Sequence, residues 1–209
     1  MKRTRVKICG ITEAADAELA ARAGADAIGL VFAAASPRRV DVPRARAIAG
    51  VTGPLVSTVG VFVNQPLDEV RDICDAVPLH YAQLHGDEAP EYCAALGRPF
   101  FKAIRMKPDL ELGAWMHAYA GAQGWLLDAW DAASAGGTGR TFDWRRAAGV
   151  SGHVILAGGL TPENVDAAIN AVRPWAVDVS SGVEREAGVK DPRKILAFLA
   201  AVRAADAER

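Results

Sequence analysis

Cys9 and Asp128 are the side chains whose types and settings best suit proton transfer. Lys7 and Cys9 stand two apart in Val6-Lys7-Ile8-Cys9, so a strand puts both on one face, opposite Val6 and Ile8. A cation beside a thiol lowers its pKa, and a thiolate can act as a base. Gly10 follows, so the thiol stands where the strand runs out. A buried cysteine is also an ordinary packing residue, and both readings of Cys9 remain open at this level. Asp128 closes the apolar run Trp125-Leu126-Leu127. A carboxylate there is costly unless it is solvated or paired, so it either caps the next loop or does chemistry. Asp178 and Ser180 share one face of the last apolar run. Asp178 is expected to neutralise Lys7 if that strand pairs with the first.

Two strand ends are built of small residues: Leu156-Ala157-Gly158-Gly159-Leu160-Thr161 and Val179-Ser180-Ser181-Gly182. Glycine lets backbone N–H groups approach an anion that a Cβ would hold off. In α/β barrels the loops after the last two strands commonly bind phosphate this way. Gly158, Gly159, Ser181 and Gly182 are therefore expected to cradle a phosphorylated small molecule. Arg38 and Arg39 follow Ser36-Pro37. A guanidinium there either grips a carboxylate through two parallel hydrogen bonds or belongs to a solvated surface pair. Gln83 and His85 share a face and precede Gly86; they line the mouth or form a polar rim. Arg105 is placed at the same end of the fifth strand. The run Gly136-Gly137-Thr138-Gly139-Arg140 reads as a lid or a solvated loop, and lacks the Gly-Lys-Ser/Thr ending of a P-loop.

These residues need a scaffold that gathers strand ends. Apolar runs predict strands at residues 6–9, 27–32, 57–63, 81–85, 100–104, 125–128, 154–157 and 176–179. Alanine-rich stretches predict helices between them, at 13–23, 43–50, 67–76, 89–96, 110–120, 143–148, 162–172 and 191–204. Strictly alternating strands and helices imply a parallel sheet. Eight units in 209 residues, about 26 residues each, favour a single (β/α)8 TIM barrel over residues 1–209, with an open doubly wound sheet as the alternative. Thr12 and Thr161 are expected helix caps, Pro43 and Pro162 first-turn residues, and Gly24 a left-handed terminator.

Composition narrows the partners. Hydrophobic residues make up 51% of the chain and the net charge is −1, which fits one globular core and gives no electrostatic reason for a nucleic-acid or membrane partner. No apolar run approaches the roughly 18 residues of a membrane span, and no signal-peptide pattern opens the chain. The three cysteines, Cys9, Cys74 and Cys93, form no CxxC pair, so neither a disulfide framework nor a zinc site is expected. A cytoplasmic enzyme with reduced thiols, monomeric or homodimeric, is the expectation.

Taken in order along nearly the whole chain, several segments resemble phosphoribosylanthranilate isomerase of tryptophan biosynthesis. They are Val6-Lys7-Ile8-Cys9-Gly10-Ile11-Thr12, Ala27-Ile28-Gly29-Leu30-Val31-Phe32, Ser36-Pro37-Arg38-Arg39-Val40 and Gly60-Val61-Phe62-Val63-Asn64. They continue with Gln83-Leu84-His85-Gly86, Leu127-Asp128, Gly136-Gly137-Thr138-Gly139, Leu156-Ala157-Gly158-Gly159-Leu160 and Val177-Asp178-Val179-Ser180-Ser181-Gly182-Val183-Glu184. The resemblance implies an Amadori rearrangement of an aminoaldose to an aminoketose, with no redox change, no metal and no cofactor. It implies Asp128 as general acid, Cys9 as thiolate base and Arg38 as partner of the anthranilate carboxylate. It places the phosphate on backbone groups around Gly158, Gly159, Ser181 and Gly182, with Gln83, His85, Asp178 and Ser180 also facing the ligand. The histidine-pathway isomerase would carry a carboxylate where Cys9 stands. Ribulose-phosphate epimerase would need a metal-binding His and Asp set, and the four histidines lack that spacing. A binding-only barrel would have no need of both Cys9 and Asp128.

Overall fold

The computed structural model describes residues 3–129 and 141–208. Eight parallel strands follow one another around the ring: β1 (Arg5–Cys9), β2 (Ala27–Val31), β3 (Ser57–Phe62), β4 (Tyr81–Leu84), β5 (Phe100–Met106), β6 (Trp125–Ala129), β7 (Val154–Leu156) and β8 (Ala176–Val179). β8 pairs back onto β1, with Asp178 level with Lys7, so the sheet closes and the open-sheet alternative is excluded. The helices on its outside are α1 (Ala14–Ala23), α2 (Val42–Gly50), α3 (Leu67–Ala76), α4 (Pro90–Ala95), α5 (Leu112–Ala118), α6 (Val165–Val172) and α7 (Pro192–Ala207). A short antiparallel hairpin, β9 (Glu184–Glu186) and β10 (Val189–Lys190), follows β8. Among the described residues, no helix is long and apolar enough to cross a membrane.

The barrel wall has two apolar faces because strand side chains alternate. Outward-facing Ile8, Ile28, Leu30, Phe62, Leu84, Ile104, Leu127 and Val177 pack under the helices. The longest helix, α7, buries Ile195, Phe198, Leu199 and Val202 in that layer. Each such side chain contributes about 1.5–3 kcal/mol of burial. Inside the ring, Val59, Phe101, Ala103, Leu126, Ile155, Ala157 and Ala176 form a plug. Above it lies a thinner layer of Cys9, Val31 and Val61. The lumen is thus filled at mid-height; a cavity of about 340 Å³ beside Ser57, Tyr81, His153 and Trp175 indents its N-terminal end, while the catalytic groups of barrels stand at the C-terminal ends of the strands.

Several local expectations need correction. Thr12 does not cap α1; its hydroxyl donates to the Gly188 carbonyl at 2.8 Å, and the N-cap is Glu13, with no side-chain bond to the helix. Pro162 is not a first-turn residue, because α6 begins only at Val165 after a turn in which Asn164 Oδ1 accepts from Thr161 N–H. The stretch expected as a helix at 143–148 is a 3-10 turn over Trp144–Ala147. Pro43 does enter the first turn of α2, where Asp41 caps the Arg44 N–H, and Gly24 ends α1 in the left-handed conformation.

Candidate active site

β1, β4, β6 and β8 bring the sequence-predicted side chains to one mouth. Lys7 and Cys9 both face inward from β1. Lys7 Nζ donates to Asp178 Oδ1 at 2.8 Å, and the two side chains are only 5% and 8% exposed. The pair follows from register: β1 and β8 set the two residues level, and both strands turn that parity into the lumen. Gly29, level with Cys9 on β2, makes room for this arrangement; a Cβ there would fall 2.6 Å from Cys9 Sγ and 3.0 Å from Lys7 Nζ.

Burial pushes the Cys9 thiol above its ordinary pKa, more strongly than Lys7 pulls it down, and Asp178 adds to the rise. The sequence-level expectation of a lowered thiol pKa is therefore corrected: Lys7 has the expected sign, but desolvation outweighs it. Lys7 moves in the other direction. Burial disfavours its charge, yet Asp178 and Cys9 together leave its pKa raised, so it remains a cation across the working range. Cys74 and Cys93 are buried packing residues, with thiol pKa values pushed up to about 11 by burial.

Across the ring, Asp128 is anchored at both oxygens. Oδ1 accepts from the Ala129 N–H at 2.8 Å, and Oδ2 lies 3.2 Å from His85 Nε2. His85 Nδ1 is in turn 2.6 Å from Gln83 Nε2. With Gln83 donating to Nδ1, the ring proton sits on Nε2 and points at Asp128. Among the described residues, the buried Gln83 carbonyl oxygen has no hydrogen-bond partner. Gln83, His85 and Asp128 thus form one polar chain running into the lumen. Arg105, level with Asp128 on β5, donates weakly to the His85 carbonyl at 3.4 Å and faces Asp87 at 3.7 Å.

Gly158 and Gly159 turn consecutively through positive φ, +81° and +65°, which aims the backbone after β7 in a way other residues rarely adopt. Gly182 lies so close to the Leu160 carbonyl that a Cβ would stand 1.8 Å from its oxygen. The two small-residue loops therefore meet. Between them lies a cavity of about 340 Å³, lined by the Gly159–Thr161 and Ser181–Gly182 segments together with Glu163 and Lys194.

Arg38 turns in toward the mouth while Arg39 remains exposed, which separates the two arginines that the sequence left equivalent. Arg38 Nε and Nη2 donate to the two carboxylate oxygens of Glu184 at 2.8 and 2.7 Å. Lys190 Nζ donates to the same carboxylate at 2.8 Å and to the Ser180 carbonyl at 3.0 Å. Sequence reasoning gave no role to Glu184, Lys190 or Lys194. A signal was present: Glu184 and Lys190 flank a glycine turn directly after the small-residue loop. The Gly136–Arg140 run, read as a lid or solvated loop, lies outside the described residues.

A closed (β/α)8 barrel with ionisable groups and small-residue loops gathered at its C-terminal mouth has the architecture of a barrel enzyme. The model of the N-(5'-phosphoribosyl)anthranilate isomerase family matches residues 6–201, and the chain belongs to that family. A relative of that name from Pseudomonas fluorescens is 53% identical over 204 residues, 97% of each chain. The crystal structure of phosphoribosyl anthranilate isomerase from Thermus thermophilus superposes with a TM-score of 0.88 at 40% identity, over 96% of this chain and 99% of that one. A second phosphoribosyl anthranilate isomerase, solved with reduced 1-(o-carboxyphenylamino)-1-deoxyribulose 5-phosphate, has a TM-score of 0.84 at 37% identity over 96% and 99% of the chains.

Proposed function

We propose that this protein isomerises N-(5-phosphoribosyl)anthranilate to 1-(2-carboxyphenylamino)-1-deoxyribulose 5-phosphate, a step of tryptophan biosynthesis, with Cys9 as base and Asp128 as acid. The single observation that carries the assignment of roles is the convergence of these two side chains, each with its own polar support, on one lumen. Asp128, as the acid, gives a proton to the ribose ring oxygen. The C1–O bond breaks as the anilino nitrogen lone pair forms an iminium ion. That cation acidifies the C2 proton, which Cys9 removes as thiolate, leaving an enolamine. Tautomerisation to the ketone completes the rearrangement, with no net gain or loss of electrons.

Only the ionised fraction of Cys9 can act, and Lys7 and Lys190 are the cations that favour that fraction. Arg38 takes the anthranilate carboxylate, and the loops around Gly158, Gly159, Ser181 and Gly182 take the phosphate. Lys194 lines the same cavity, with Glu163 as the opposing charge on its wall. Gln83 and His85 orient Asp128; Asp178 and Ser180 flank the ribose on the opposite side. No cofactor or metal enters this scheme, and the reduced thiols suit the cytoplasm.

The test is turnover. Anthranilate and phosphoribosyl pyrophosphate, joined by the transferase that condenses them, generate the substrate in place. The purified protein should then remove its fluorescence rapidly. A folded protein that leaves the signal untouched contradicts the assignment.

A further inference from the structure

The geometry points to Glu184 as the residue that positions Arg38 for a ligand carboxylate, an inference that rests on the isomerase reading above. Arg38 has five N–H donors in a planar fork. Glu184 occupies the edge made by Nε and one proton of Nη2. The opposite edge, between Nη1 and Nη2, makes no hydrogen bond among the described residues and remains free for a second carboxylate. The Arg38 stem crosses the end of β1 directly over Gly10, where a Cβ would lie 2.5 Å from its Cδ and 3.0 Å from Ser180 Oγ. The guanidinium therefore stands at the rim between β1 and β8, close enough to Cys9 for the two charges to interact.

Glu184 is itself held on several sides. Its side chain is 4% exposed, Lys190 donates to Oε1, and Lys194 Nζ donates to its backbone carbonyl at 2.7 Å. The hairpin carrying it packs against the Arg38 loop: a Cβ on Gly188 would lie 2.8 Å from the Pro37 carbonyl oxygen. Burial opposes the Glu184 charge, but the hydrogen bonds and charges of Arg38 and Lys190 outweigh it, and its pKa is lowered. Glu184 is therefore a fixed anion at neutral pH.

A fixed anion beside Arg38 weakens the local attraction for an anionic ligand. Arg38, Glu184 and Lys190 sum to +1; without the Glu184 charge they would sum to +2. Charge alone thus argues against this residue, and its use is geometric. It holds one edge of the guanidinium so that the other edge is set before the ligand arrives.

The two roles predict opposite signs, which makes them separable. Binding is measured by calorimetry for reduced 1-(o-carboxyphenylamino)-1-deoxyribulose 5-phosphate and for its counterpart without the ring carboxylate. Glu184→Gln should weaken the carboxylated ligand by about tenfold, the scale of freeing one long side chain, and leave the other ligand unchanged. Glu184→Gln/Lys190→Met keeps the local charge at +1 and removes the stranded lysine, so it protects the fold; it should show the same selective loss. Added to Arg38→Ala, Glu184→Gln should cost nothing further. Tighter or unchanged binding of the carboxylated ligand in Glu184→Gln, or equal loss for both ligands in both variants, overturns the positioning role. A parent protein that turns over substrate but binds both ligands equally also overturns it, while leaving the isomerase reading intact. A parent that neither binds nor turns over removes that reading and this inference together.

Discussion

Replacing Lys7 by Met removes one half of a buried ion pair while nearly conserving volume. The partner, Asp178, lies 2.8 Å from Lys7 Nζ and is 8% exposed. Breaking such a pair from one side costs about 3–5 kcal/mol, because a charge is left without compensation. The stranded carboxylate can escape part of that cost by taking up a proton. Protonating an ordinary aspartate at pH 7 costs about 4 kcal/mol, which caps the loss; at pH 5 the cap is about 1.5 kcal/mol. The sign follows from linkage. In the variant, folding raises the carboxylate's proton affinity, so stability is present at acid pH and lost as pH rises. Lys7 in the parent has a raised pKa and stays charged across this range, so the baseline does not move with it. Urea denaturation from pH 5 to pH 7 should therefore show a gap between variant and parent that widens by roughly 1.4 kcal/mol per pH unit. Lys7→Met/Asp178→Leu should recover most of the loss, since a packed apolar pair can replace a buried ionic one. A gap below about 1 kcal/mol at pH 7 that stays flat with pH would refute the reasoning, and unchanged Cys9 reactivity in the same variant would complete the refutation.

Two further outcomes follow from the site. Because burial raises the Cys9 pKa, alkylation of Cys9 by iodoacetamide, followed by peptide mass spectrometry, should still be accelerating at pH 9, where an ordinary thiol levels off; a plateau near pH 8 contradicts the raised value. Gly182→Ala must move the Leu160 carbonyl, since its Cβ would lie 1.8 Å from that oxygen. It should destabilise the protein by about 1–3 kcal/mol and raise KM for the phosphorylated substrate, and a variant matching the parent in both Tm and KM would show that the two loops do not meet as described.

What the sequence revealed depended on distance along the chain. The period-2 alternation of each apolar run was local: it put Lys7 with Cys9 and Asp178 with Ser180 on the expected luminal faces and paired Gln83 with His85 without settling mouth against rim, whereas Asp128 stood out by closing an apolar run. The Lys7–Asp178 pair, 171 residues apart, was still legible, because barrel closure sets the last strand against the first. The Arg38–Glu184 pair, 146 residues apart, was not, because it depends on a hairpin too short to leave a period. Lys102 shows a second limit. Its parity on β5 turns it outward, where Nζ donates to the Leu84 and Gly86 carbonyls and to Glu88 with no exposure. A charged residue on the outer face of a strand thus pins the β4–α4 loop, and these partners, 14 to 18 residues away, leave no local period in the sequence. Thr12 failed as a cap because its hydroxyl found the Gly188 carbonyl in the hairpin. Thr161 Oγ1 does accept from the Glu163 N–H, as a cap would, but it caps the turn that leads into α6, whose own N-cap is Asn164.

The central claim is that Cys9 and Asp128 are the base and the acid of one rearrangement. The most direct test compares kcat/KM on N-(5-phosphoribosyl)anthranilate for the parent, Cys9→Ala and Asp128→Asn, each confirmed folded by circular dichroism. Loss of at least about a hundredfold in both variants is the predicted result, the scale of a lost proton-transfer group. A folded Cys9→Ala or Asp128→Asn variant with near-parental turnover would contradict the assignment.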